Sequence, residues 1–356
     1  MLFGFSIVTR YTCHVNFLTV YILRVRMFYK ILSFVLICLY CSQIETKEQR
    51  PNEAGFSGDV LLGAVYLNSQ SLLNAGDENQ SLNTFNDKAD NDERFLPGLL
   101  GNVYYTFDSL SDQVYLGVSR SKAIEGQFSP ELGYKRFLSG RSSFTLAYIP
   151  NIIKKDTYAD PFVLNTARDE TEQSLSVVRA KWASIANSGL GVELAYGDLA
   201  IKHEQSGEFL GLTEPEQNLL KRDASYSYIG VDMKFPIAKG IFLTPSIYGF
   251  DRNAQGKAYS HQATGVEVAL FILSGRHRIS ANIRYAQYRY DADNPVFDQR
   301  RKDEQVSAFA GYFYQNPFDM KNTTYTIISN YRNRDSNINF YQSQGLTVAT
   351  GLNWMF

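Results

Sequence analysis

From residue 54 onward, apolar and polar side chains alternate with a period of two, the pattern of strands whose two faces meet different surroundings. Phe56, Val60, Leu62, Ala64 and Tyr66 share one face, while Ser57, Asp59 and Gly63 share the other. The same alternation recurs at Phe144, Leu146 and Tyr148, at Val178, Ala180 and Trp182 against Arg179 and Lys181, and at Leu190, Val192, Leu194 and Tyr196 against Glu193. It continues at Ile279, Ala281, Ile283 and Tyr285 against Ser280, Asn282 and Arg284. No long stretch has a helical period of 3.6. The runs predict about fourteen strands, with twelve as the lower count if the shortest runs are not strands.

The connections between the runs alternate in length. Long ones fall near 68–96, 150–170, 204–222, 252–258, 291–303 and 333–338, and short ones near 108–113, 138–142, 184–189, 236–240, 273–276 and 316–321. One short connection near 120–124 breaks the alternation. A soluble sandwich gives no reason for such a rhythm, whereas an outer-membrane barrel does, with short periplasmic turns and longer external loops. Strands can cross lipid only when every backbone group pairs within the protein, which demands closure. The expected fold is therefore all-β: a closed antiparallel transmembrane β-barrel with its apolar face toward lipid and its polar face toward the lumen. The expected location is the outer membrane of a Gram-negative cell.

The chain ends Gly-Leu-Asn-Trp-Met-Phe, with Leu352, Trp354 and Phe356 on one face of the last run. A terminal aromatic residue closing an amphipathic strand fits a signal to the barrel-assembly machinery. At the other end, Ile31–Cys41 is an apolar run preceded by Lys30, which reads as a signal-peptide core with its positive flank. The run is shorter than the roughly 18 residues of a membrane-spanning helix. Residues 27–43 are the expected signal peptide, residues 1–26 an upstream extension before a start at Met27, and 44–356 one barrel domain.

Composition sharpens this picture. The chain holds 24 Phe and 24 Tyr, yet its net charge is −1 and its mean hydropathy is −0.24. A lipid-facing half and a polar lumen explain that pairing of aromatic content with overall polarity. Removing residues 1–43 takes away Arg10, Arg24, Arg26 and Lys30 and no acids, so 35 bases less 4 leaves 31 against 36 acids, or about −5. It also takes away Cys13, Cys38 and Cys41, all three cysteines, which excludes disulfides, thiolate metal sites and cysteine nucleophiles. The charge balance argues against a nucleic-acid partner. Expected partners are outer-membrane lipid, lipopolysaccharide, the assembly machinery and small solutes.

Several stretches resemble an uncharacterised family of Gram-negative proteins, domain of unknown function 2860. They are Ala-Gly-Phe-Ser-Gly-Asp-Val at 54–60, Tyr-Ala-Asp-Pro-Phe at 158–162 and Arg-Tyr-Asp-Ala-Asp-Asn-Pro-Val-Phe at 289–297. Ser-Asn-Ile-Asn-Phe-Tyr at 336–341 and the closing hexapeptide complete the set. The resemblance implies an envelope protein matched over nearly all of its mature length. It implies no activity and no functional residues.

Catalytic and metal chemistry find little purchase. His203, His261 and His277 stand in no metal-binding spacing. Ser260 beside His261 is the one pair that invites a hydrolase reading, and no partnered third group accompanies it. The acidic run 86–93 offers calcium-type oxygens but lacks the order of a calcium loop. The expectation is neither enzyme, nor cofactor, nor metal site. The inward face is more informative. Alternation places Glu131, Lys135, Arg179, Lys181, Glu193, Asp232, Lys234, Glu267 and Arg284 in the lumen, with Arg179 or Lys181 near Glu193 and Glu267 near Arg284. Such a ladder of mixed charge either rigidifies the barrel or filters solutes. The leading functional expectation is a porin-like channel for small hydrophilic solutes. The other is a closed barrel acting through its surface loops in adhesion, phage binding or scaffolding.

Overall fold

The computed structural model describes residues 50–117, 130–151 and 154–356. The expected upstream extension 1–26, the expected signal peptide 27–43 and the connection near 120–124 lie outside these residues. From Gln43 onward the chain clusters as one compact unit.

Sixteen strands are formed: β1 (Gly55–Ser71), β2 (Asn91–Thr106), β3 (Asp112–Gly117), β4 (Glu131–Phe137), β5 (Ser143–Ile149), β6 (Lys155–Tyr158), β7 (Glu170–Ala183), β8 (Leu190–Ile201), β9 (Ala224–Met233), β10 (Phe235–Ala238), β11 (Ile241–Ala254), β12 (His261–Ser274), β13 (His277–Asn294), β14 (Gln299–Gln315), β15 (Thr323–Ser336) and β16 (Ser343–Met355). They make fourteen barrel staves. Strands β5 and β6 both pair with β7, one above the other, and β9 and β10 both pair with β11, so each couple is a single interrupted stave. Every neighbour is antiparallel, and β16 pairs with β1 to close the ring. At that seam Leu352 faces Leu62 and Trp354 faces Val60. Phe356 exchanges backbone hydrogen bonds with Gly58 at 2.9 and 3.0 Å. The ladder thus runs to the last residue, and the ring of strands closes on itself.

The outward belt is apolar and exposed. Phe56 (77 %), Phe95 (75 %), Leu99, Leu116, Leu132, Val178, Leu194, Ile283 and Phe356 all point away from the lumen. A soluble protein could not present such a surface, and a barrel in lipid requires it. Among the described residues no helix is long and apolar enough to cross a membrane. The only α-helix there is the six-residue α1 (Glu214–Leu219), started by a capping box between Thr213 and Glu216.

Several staves are longer than a bilayer needs. β1 and β14 have 17 residues and β13 has 18. At about 3.3 Å per residue and a tilt near 45°, 17 residues climb about 40 Å, more than the ~30 Å hydrocarbon core. The expected loops 68–96, 150–170 and 291–303 are therefore too generous, and 252–258 and 333–338 begin too early. The true connections are 72–90, 159–169, 255–260, 295–298 and 337–342. The reason is physical: above the lipid, outward residues such as Arg289, Lys302 and Glu304 meet water. The apolar half of the alternation ends there while the hydrogen-bonded ladder continues.

Candidate functional site: a capped, charged lumen

Two features of the interior are candidates for function. One is a folded cap over the loop end, and the other is the charged wall beneath it.

Six connections from the loop end pack together over a core of Leu72, Leu82, Phe162, Leu220, Tyr259, Ile338, Phe340 and Tyr341. Four phenylalanines lie at its centre. Phe340 sits 5.4 Å from Phe162, 5.5 Å from Phe297 and 5.9 Å from Phe85, ring centre to ring centre. Tyr341 adds contacts to Phe340 and Phe297 at 5.2 and 5.7 Å. These are the tilted and edge-on arrangements that aromatic quadrupoles favour.

Buried polar side chains staple the cap, because loop backbone taken out of water needs partners. Arg168, 1 % exposed, donates to the carbonyl oxygens of Leu72 (2.7 Å), Pro161 (3.2 Å) and Asn79, and lies over the Tyr158 ring. Burial holds the Arg168 guanidinium below its ordinary pKa. Arg222 pairs with Glu204 at 2.8 Å and donates to the carbonyls of Tyr158 and Ala159. Burial opposes the Arg222 charge, but Glu204 outweighs it and raises the pKa. Asp160 accepts from the amides of Phe162, Gly207 and Phe209, tying 159–169 to 202–223. Burial pushes the hydroxyls of Tyr259 and Tyr341 above the usual tyrosine pKa.

The expected charge ladder is found in the wall as local clusters. Arg179 reaches past Ala147 of β5 to Glu131 of β4 (Nε–Oε2 2.7 Å), where Tyr115 also donates at 2.6 Å. Small residues leave that path open. Gly133 lies where any Cβ would come within 2.2 Å of the Tyr115 ring. Lys181 stands 3.8 Å from Glu193, its register partner, and 3.6 Å from Asp232. Arg284 faces Glu267 in register and donates to it at 2.6 Å. Lys234 lies over the Phe242 ring at 4.8 Å, in the break between β9 and β10.

A second set of charges was not visible in the sequence. In the two rows under the cap, Lys155, Arg252, Arg301, Arg332 and Arg334 point inward by the alternation of their strands. Asp303 is the carboxylate among them, bound to Arg301 at 2.6 Å and 3.8 Å from Arg334. Arg334 also donates to Gln305 at 2.9 Å and lies over the Tyr288 ring. Lys155, Arg252, Arg301 and Arg334 sit in stretches read as loops, and Arg332 lies just before one, where the apolar half of the pattern had ended. The alternation of Arg332 and Arg334 with Asn333 was the signal that could have placed them.

The paired Ser260 and His261 are separately engaged. Ser260 Oγ donates to the Ala254 carbonyl and accepts from its amide, while His261 Nδ1 lies 3.2 Å from the Tyr259 carbonyl. His277 Nδ1 contacts the Tyr312 hydroxyl at 2.8 Å at the turn end. In the acidic run, Asp87 is taken up by the amides of Asn83 and Thr84, and Asp92 by Arg94. No group of three or more His, Cys, Asp or Glu able to hold a metal occurs among the described residues.

The sequence profile of a family described as a protein of unknown function, DUF2860, matches residues 55–355. The chain belongs to the DUF2860 family. No curated protein matches it in sequence. Among solved structures, the DUF2860 barrel is similar to outer-membrane-expressed OmpT of Vibrio cholerae, at 10 % identity and a TM-score of 0.39, over 87 % of this chain and 100 % of that one. It is also similar to an anion-selective porin from Comamonas acidovorans, at 9 % identity and a TM-score of 0.37, over 85 % and 99 % of the two chains. A third is OccAB3 of Acinetobacter baumannii, at 9 % identity and a TM-score of 0.36, over 85 % and 99 %. The stretches that carried the family resemblance in the DUF2860 barrel supply much of the cap: Tyr158–Phe162, Asn294–Phe297 and Ser336–Tyr341.

Proposed function

We propose that this protein resides in the Gram-negative outer membrane and passes small hydrophilic solutes through its lumen, with the folded cap limiting what enters from outside. The observation that carries this reading is solvent access to side chains that point inward. Arg332 is exposed although the alternation of β15 aims it at the lumen. Leu96, inward on β2, is 45 % exposed. Next to β15, the inner wall of β16, β1 and β2 has Gly351, Gly63 and Gly98 side by side in register. A barrel packed solid with side chains, as the smallest barrels are, would bury all of these. The short turns and the Phe356 end then face the periplasm, and the cap faces outward.

Purified, refolded protein in a planar lipid bilayer is the test. Stepwise conductance in potassium chloride is the expected result. Inserted barrels that stay electrically silent with the cap both intact and loosened overturn the channel reading. The packed cap favours a second reading, a closed barrel whose rigid outer face is the functional surface. Removing residues 204–222 then abolishes partner binding, and bilayers stay silent.

A further inference from the structure

Charge in the inner wall divides into two zones. Toward the turn end, three inward cations are paired with carboxylates: Arg179 with Glu131, Lys181 with Glu193 and Asp232, and Arg284 with Glu267. Beneath the cap the balance fails. Five cations, Lys155, Arg252, Arg301, Arg332 and Arg334, stand with two inward carboxylates: Asp303, already committed to Arg301 and Arg334, and Asp92 of β2, already taken up by Arg94. Arg332 has no hydrogen-bond or ion-pair partner among the described residues, and Lys155 has only the amide oxygen of Asn74, at 2.7 Å. Arg252 donates one terminal nitrogen to the Arg222 carbonyl at 2.8 Å and leaves its buried Nε without an acceptor.

These groups converge from different walls. Lys155 stands on β6 and Arg332 on β15, with β16 and β1 to β4 between them around the ring. Both point into the lumen by the alternation of their strands. Arg332 is within range of Arg334 and Arg284. Like charges gathered in a confined space without counter-charges raise the energy of the folded state unless something negative comes in. The guanidinium forks and the ammonium offer donors suited to a planar or tetrahedral group of oxygens. Arg332 and Lys155 are both exposed to the lumen, so an ion arriving through water reaches them.

We infer that the chamber under the cap binds small oxyanions, inorganic phosphate or the phosphate or carboxylate group of a small solute, between Arg332, Arg334, Lys155 and Arg252. The inference deepens the channel reading by naming a solute class, and it rests on that reading only for an aqueous lumen. Lipid headgroups are not the source, because the site lies inside the closed ring.

The test is calorimetric titration of inorganic phosphate into the full-length protein in neutral detergent at low ionic strength. Wild-type protein is expected to take up phosphate. Arg332→Ala with Lys155→Ala should weaken that uptake at least tenfold, Arg332→Lys should retain part of it, and outward-facing Arg289→Ala should leave it unchanged. No measurable uptake by folded wild-type protein overturns the inference. So does equal affinity in the Arg332→Ala, Lys155→Ala protein, or an equal loss in Arg289→Ala. Should that double variant fail to fold, Arg332→Lys alone decides, since a bound oxyanion must register loss of the guanidinium fork. Bilayer conductance reads separately. Silent bilayers with intact phosphate uptake sink the channel and keep the site, and conducting barrels without uptake do the reverse.

Discussion

Phe340 is the side chain through which the cap is most open to attack. It is 1 % exposed and touches the rings of Phe85, Phe162, Phe297 and Tyr341. Replacing it by Ala removes a buried ring from a packed core, a change that costs about 3–5 kcal/mol, the pairwise ring interactions included. The barrel ladder does not share this cost, because Phe340 lies in the 337–342 connection and pairs with no stave. The loss therefore falls on the equilibrium between packed and open cap, which shifts roughly 10²- to 10⁴-fold. Limited proteolysis of protein in detergent or in intact cells reads that shift. Cleavage within 72–90 and 202–223 should accelerate strongly in Phe340→Ala, while the barrel keeps its resistance to detergent unfolding. Conductance should rise at the same time if the cap restricts entry. Unchanged cleavage rates would refute the view that the aromatic cluster holds the cap. Collapse of the whole barrel would refute its independence from the wall.

Three further outcomes follow from named contacts. Glu131→Gln leaves the buried Arg179 with a neutral partner and should lower stability by about 3–5 kcal/mol, read as a drop in the thermal unfolding temperature in detergent; Glu131→Gln with Arg179→Met should recover part of it. Gly265→Ala places a methyl within 2.3 Å of the Tyr248 ring and should destabilise by about 1–3 kcal/mol, with Tyr248→Ala in the same chain relieving the clash. The pKa values of Asp87 and Glu216 are held below the usual carboxylate range by hydrogen bonds from the Thr84 amide and from the Thr213 hydroxyl respectively. Their contribution to loop order is present above the unfolded-state pKa and is lost as pH falls through the depressed one. Proteolysis of 72–90 and 202–223 should accelerate on acidification toward pH 3, and Asp87→Asn with Glu216→Gln should flatten that dependence.

The fold was legible because a barrel in lipid writes its outward face as a strict period of two. Leu62, Leu99, Leu116, Leu132, Val178, Leu194 and Ile283 announce their strands one by one, and Phe356 announces the seam. The ladder was legible wherever partners lie directly opposite, as Arg284 and Glu267 do. Arg179 was harder, because its partner stands two staves away and the route depends on Ala147 being small. The cap could not be read at all. Phe85, Phe162, Phe297 and Phe340 lie in four separate connections, and no local period marks residues that meet only in three dimensions. Arg332 and Arg334 were hidden by a related blindness: where a strand rises out of lipid both of its faces are wet, and amphipathic alternation stops carrying information.

The cap draws its core from Leu72 near the start of the barrel and from Ile338, Phe340 and Tyr341 near its end. Those ends become neighbours only when β16 pairs with β1. Contacts of such sequence separation form late, because loop closure must come before they are rewarded. The cap is therefore the last part of the molecule to set. A chain halted before β15 and β16 lacks Ile338, Phe340 and Tyr341, and with them the centre of the cap's aromatic cluster. The order of assembly makes the packed cap a report that the ring is complete.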